Sequence, residues 1–202
     1  MLALVGFAVL LGVTIGDWPP LERFDAAVSS YCREYGEQHP GLVSLLRVGT
    51  DLAATGSYLF AGLAATVGLA AQGQRRVAGC FALVTVTVPV LWSLGHWLLH
   101  RPRPADGFVT VASNGFPSGH ASNAAAAALL VVLLLWPRQT RLGRVVTVVL
   151  AAGFAVVIGL TRLMLLAHWP ADVLGGWLLA LVVVPVAARW APVGQVSNDR
   201  AG

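Results

Sequence analysis

The sequence predicts an all-α integral membrane protein, a bundle of about six transmembrane helices. Three observations carry that expectation. Hydrophobic residues make up 57% of the 202 residues and charged residues 11%, with a mean hydropathy of +0.75, too apolar for an ordinary soluble domain. Runs of about twenty mostly uncharged residues recur, and each can cross ~30 Å of hydrocarbon at 1.5 Å rise per residue. All 13 basic residues are arginines, and they gather at or between the ends of those runs.

The first apolar segment, Leu2 to Gly16, is short for a span and lacks the basic start and cleavage site of a signal peptide. A tilted or locally thinned first helix is expected, or a start codon placed too far downstream. From Asp17 to Arg47 the chain turns polar. Leu21, Phe24, Val28 and Tyr31 recur there at helical spacing, which predicts an interfacial amphipathic helix. A second span is expected at roughly 51–71, followed by the turn Gly73-Gln74-Arg75-Arg76. The third covers roughly 77–99, with a kink at Pro89. A polar loop at 100–117 leads to a fourth span at 118–136, whose PSGHASNAAAAA opening allows close helix approach. A short basic turn, Pro137 to Arg144, precedes spans at roughly 145–166 and 170–188. Residues 1–190 thus read as one membrane-embedded domain, with a frayed tail at 191–202.

Cys32 is placed in a polar loop and Cys80 in an apolar span, so no disulfide is expected. The net charge of +4 does not point to nucleic acid, because the arginines form no continuous stripe. They set topology instead. The two short turns hold Arg75, Arg76, Arg138, Arg141 and Arg144 and no acid. The positive-inside rule puts these turns and both termini in the cytoplasm. The chain is expected in the cell membrane as a multi-pass protein, its three polar clusters together on the extracytoplasmic face.

Those clusters carry the chemistry. Arg162 ends a long apolar span, where a buried arginine costs ~2.5–3.5 kcal/mol unless compensated. A bound phosphate compensates it by accepting two parallel hydrogen bonds. Trp169-Pro170 marks a helix start, so His168 stands just before that helix and Asp172 in its first turn. The carboxylate can then orient the imidazole and stabilise its cation. A plain cap-and-anchor role fits the pair alone equally well. Ser118 and Gly119 open the fourth helix as an anion-binding terminus, with His120 facing the same anion as acid and base; a simple helix cap also fits. Arg101 and Arg103, stiffened by Pro102 and Pro104, fit phosphate binding or headgroup contact. His96 and His100, four apart on one helical face, allow a metal pair that the nearby arginines would oppose.

Taken together, the blocks resemble the signature of the type 2 phosphatidic acid phosphatase and vanadium haloperoxidase superfamily. That signature runs Lys-x6-Arg-Pro, then Pro-Ser-Gly-His, then Ser-Arg-x5-His-x3-Asp. Pro117, Ser118, Gly119 and His120 match the second block; Arg162, His168 and Asp172 match the third, with Thr161 for Ser; Arg103 and Pro104 match the first, with His96 at the Lys position. The resemblance spans 96–172, and the six-span layout extends it to most of the chain. It implies His168 as nucleophile, Asp172 as its orienter and His120 as general acid and base. Arg103, Arg162, Ser118 and Gly119 would hold the phosphate, with His96 or Arg101 replacing the family Lys. If protonated His96 is the contact, activity rises at mildly acidic pH. A membrane lipid phosphatase is implied, acting on phosphatidate, phosphatidylglycerol phosphate or undecaprenyl diphosphate through a phosphohistidine, with membrane lipids around it and no metal or other cofactor. The alternatives are phosphotransfer to another hydroxyl and a non-catalytic bundle that binds or transports lipid phosphates.

Overall fold

The computed structural model describes residues 1–190; the tail expected at 191–202 lies outside the described residues. Eight α-helices follow in order: α1 (Leu2–Ile15), α2 (Pro19–Gln38), α3 (Pro40–Gly49), α4 (Thr55–Ala71), α5 (Arg75–Leu99), α6 (Gly119–Leu135), α7 (Arg141–Met164) and α8 (Pro170–Trp190). Among the described residues five stretches are long and apolar enough to cross a membrane: Pro40–Ala71, Arg75–Leu99, Gly119–Arg138, Arg141–Met164 and Pro170–Trp190. The pair α1–α2, bent by 89°, passes the same test only when taken together, and counts as a sixth if it forms one broken span. The chain is a multi-pass, all-α membrane protein.

One boundary differs from the sequence reading. The second span starts at Pro40, well before residue 51, because Pro40 begins a new helix that continues through a 3₁₀ turn, Thr50–Ala53, into α4. α5 matches the expected third span and carries Pro89 inside it.

α6 sits at the centre. Its small residues Ala121, Ala124, Ala125, Ala126 and Ala128 are buried, and α4, α5, α7 and α8 all pack on it. Small side chains let the backbones meet closely where lipid supplies no hydrophobic drive. Gly176 of α8 shows how close: a Cβ there would stand 2.7 Å from the Ser118 carbonyl oxygen.

α2 is amphipathic as expected, but its protein-facing stripe is the small and polar one. Asp25, Ser29, Cys32 and Gly36 are buried, whereas Phe24 and Tyr31 are exposed. The outward face mixes Phe24 and Tyr31 with the exposed charges Glu22, Arg23, Glu34 and Glu37, as suits a helix at the membrane interface, while the small and polar stripe packs inward. Cys32 is therefore a buried helical residue and not a loop residue; it and Cys80 are both free thiols. The two basic turns meet at one end, where Arg138 Nη2 donates to Gln74 Oε1 at 3.5 Å. The 100–118 loop meets the α7–α8 connection through Phe108 N–H to Leu165 O at 3.1 Å.

Candidate active site

Pro170 opens α8 and places Asp172 in its first turn. Asp172 is fully buried. Its Oδ2 accepts the Trp169 N–H at 3.0 Å and faces His168 Nδ1 at 3.4 Å. Arg103 reaches the same ring from the 100–118 loop. Its Nε donates to Ser113 O at 2.7 Å, its Nη2 to Asn114 O at 2.9 Å and Ser113 Oγ at 3.1 Å, and its Nη1 to Ala167 O. That same Nη1 lies 2.8 Å from His168 Nε2. A guanidinium can only donate, so Nε2 carries the lone pair and the ring proton sits on Nδ1, toward Asp172. Burial first, then the charges of Arg103, Arg162 and His96, hold the His168 imidazole well below its ordinary pKa. It is a neutral imidazole whose Nε2 lone pair accepts from Arg103 Nη1.

Ser118 is the N-cap of α6, its Oγ accepting from Ala121 N–H at 3.4 Å. Its own N–H donates to the Asp172 carbonyl at 2.8 Å, which ties the two helix starts together. Gly119 follows against Trp92, where a Cβ would meet the ring at 3.0 Å. His120 is half-buried in the first turn, within electrostatic reach of Arg162, His168 and Arg103. From α7, Arg162 is 4% exposed. Its Nη1 donates to Thr50 Oγ1 at 3.1 Å, and its Nε has no partner among the described residues. Among the described residues it makes no ion pair either. A buried guanidinium with open N–H groups suits an oxyanion.

The structure brings His168, Asp172, His120, Arg103, Arg162, Ser118 and Gly119 together at one end of the bundle. Two residues are placed differently. Arg101 donates to Asp172 Oδ1 at 2.6 Å and to Asp25 Oδ2 at 2.7 Å, so its terminal nitrogens serve carboxylates where a phosphate contact was expected. His96 is buried, with Nε2 donating to Pro117 O at 2.8 Å and Nδ1 without a partner among the described residues. Its ring centroid lies 6.3 Å from that of His168. His100 falls beyond the end of α5 with φ 50° and is exposed, so the two histidines do not share a helical face. Asp25 and Thr50 were missed. Asp25 belongs to the polar stripe of α2, a visible signal; nothing local marks Thr50.

Residues 76–194 match the family model described as the PAP2 superfamily. A 72-residue stretch is 46% identical to phosphatidylglycerophosphatase B of Escherichia coli (strain K12) and, equally, of Shigella flexneri. It makes up 36% of this chain and 27% of those proteins, so the match spans about a quarter of the length of these curated relatives. The whole chain shares its fold with the crystal structure of the PAP2-type phosphatidylglycerolphosphate phosphatase from Bacillus subtilis. The TM-score is 0.80 at 22% identity, over 99% of this chain and 100% of that one.

Proposed function

The chain belongs to the PAP2 superfamily, and from that premise we propose that it hydrolyses the phosphate of a membrane lipid through a phosphohistidine on His168. The observation that carries this reading is the 2.8 Å approach of Arg103 Nη1 to His168 Nε2. It sets the lone pair of the nucleophile beside a guanidinium that suits a phosphoryl oxygen.

His168 Nε2 attacks phosphorus in line, and the P–O bond to the lipid breaks. The negative charge of the bound phosphate favours the protonated form of His120, which gives its proton to the departing oxygen and is left neutral. Asp172 stabilises the imidazolium formed behind the new P–N bond. Water then attacks phosphorus, His120 takes a proton from it, the P–N bond breaks, and inorganic phosphate leaves. Arg162, the Ser118 hydroxyl and the Gly119 amide hold the phosphoryl oxygens, joined by the Arg103 Nη1–H, which passes from His168 Nε2 to a phosphoryl oxygen as that nitrogen turns to phosphorus; catalysis is mostly positioning and charge stabilisation. The guanidiniums supply the positive charge for which other phosphoryl-transfer sites use Mg²⁺, so the reaction needs no metal.

A lipid substrate is favoured by what lies beside the site. An apolar cavity of about 170 Å³ opens among α4, α5, α6 and α7, lined by Tyr58, Gly62, Phe81, Asn123, Ala127 and Phe154 among others. Asn123 lies three residues after His120, so the cavity begins one turn beyond the site. Its volume is close to that of an engineered pocket that takes benzene, room for a few carbons of an acyl or prenyl tail. The names of the relatives make phosphatidylglycerol phosphate the first substrate to try, beside phosphatidate and undecaprenyl diphosphate. The site lies away from the basic turns, which supports, by the positive-inside rule, an extracytoplasmic site and cytoplasmic termini.

The test is phosphate release by purified protein in detergent with EDTA present. Wild type should release inorganic phosphate from at least one of these lipids and His168→Ala none. Equal rates for the two would reject the reading.

A further inference from the structure

We infer that Asp25 of α2 is a positioning residue for this reaction, holding Arg101 on Asp172 and leaving a net negative charge behind His168. The inference rests on the hydrolase reading above. Asp25 lies outside the stretch that matches the family model, so the family match assigns it no role.

Asp25 is a carboxylate only 2% exposed, on the face of α2 that packs against the bundle. A buried carboxylate persists only when paired and hydrogen-bonded. Here Oδ2 accepts from Arg101 Nη2 at 2.7 Å, and Oδ1 accepts the Ala171 N–H at 3.1 Å. Arg101 Nη1 meets Asp172 Oδ1 at 2.6 Å, and Asp172 Oδ2 faces His168. The chain Asp25–Arg101–Asp172–His168 is continuous. Its charges decide its use. Asp172 and Arg101 alone sum to zero and would stabilise an imidazolium poorly. Adding Asp25 makes the sum −1 on the side of His168 away from phosphorus. Asp25 also pins the first turn of α8, where Asp172 sits. A second tie from the same helix steadies the loop: Arg33 donates to the Asp106 carbonyl at 3.1 Å and to Ala105 O.

The experiment uses the full chain in detergent. Asp25→Asn should lower kcat on the order of tenfold, with KM and inhibition by inorganic phosphate within about twofold, since no phosphate contact is lost. Asp25→Glu, which keeps the charge, should restore most of kcat. Asp25→Asn should cost nothing further in an Asp172→Asn background, because the two act through one chain. A wild-type kcat in Asp25→Asn, a parallel loss in KM, or multiplying costs in the double variant would each overturn the inference. Nuclear magnetic resonance of the His168 ring separates this from failure of the enzymatic reading. Loss of the negative charge should lower the pH at which the ring protonates, whether or not any lipid is turned over. An unmoved titration overturns the inference. Were Asp25→Asn not to fold, Asp25→Glu alone decides: kcat within about threefold of wild type supports the role, and a loss of tenfold or more contradicts it.

Discussion

The Nε2 of His96 stands 2.8 Å from the carbonyl oxygen of Pro117, joining α5 to the residue before the N-cap of α6. His96 occupies the Lys position of the family pattern, yet it holds the helix-opening loop in addition to facing the site. With Nε2 donating to a carbonyl, Nδ1 is the only ring nitrogen left for a phosphate oxygen, and it can donate only when the ring is charged.

Substrate binding should therefore weaken as pH rises and the His96 cation is lost. KM for the lipid phosphate is expected to increase severalfold as pH is raised toward 6.5, because a buried ring loses its charge below the ordinary histidine range, and to change little above it in wild type. A lysine keeps its charge across that range, so His96→Lys should hold KM flat. Matching KM profiles in the two proteins would remove His96 from phosphate binding.

Arg103 acts on His168 through charge as well as through the hydrogen bond. Burial is the larger cause of the lowered His168 pKa, and Arg103 is the next. In Arg103→Met the cation is gone, so the imidazole should protonate at a higher pH than in wild type. Protonation blocks attack, and the acid limb of kcat/KM should move up by about one pH unit while the plateau falls at least a hundredfold. An acid limb that stays put or moves down would contradict this electrostatic account.

Arg162 should trade stability for function. Its buried Nε has no partner among the described residues, and an unsatisfied charged group of this kind costs about 1–3 kcal/mol or more. Arg162→Met is expected to raise the thermal midpoint while abolishing stabilisation by added inorganic phosphate. A variant that is less stable yet still phosphate-stabilised would show that Arg162 is a structural cation.

Much of this site is legible in the sequence because its parts are local. His168 and Asp172 are one helical turn apart beside a helix-starting proline, and Ser118 caps the helix it precedes. Those relationships follow from spacing and backbone chemistry. What escapes the sequence is partnership over distance. Arg101 reads as a loop cation free to meet phosphate, but its carboxylate Asp25 lies 76 residues earlier in the chain. Thr50, the partner of Arg162, is 112 residues away. The α2 pattern was visible as amphipathic, whereas which stripe faces the protein depends on partners distant in the chain. The start of the second span at Pro40 was hidden because polar residues nearby masked a helix that continues into α4.

The cavity beyond His120 should discriminate tails. Ala127→Phe fills part of its 170 Å³ without touching the phosphate groups. kcat/KM for a long-chain phosphatidate should fall about tenfold or more, while a short-chain water-soluble phosphoester is cleaved within about twofold of wild type. Equal losses on both substrates, or none on either, would mean that the tail lies elsewhere.

The covalent step can be read directly. Turnover of lipid labelled with radioactive phosphate, quenched within milliseconds and digested, should yield one labelled peptide containing His168, stable to alkali and labile to acid. His168→Ala should carry no label. Label on any other residue, or brisk turnover by a protein lacking this imidazole, would contradict the account at its centre.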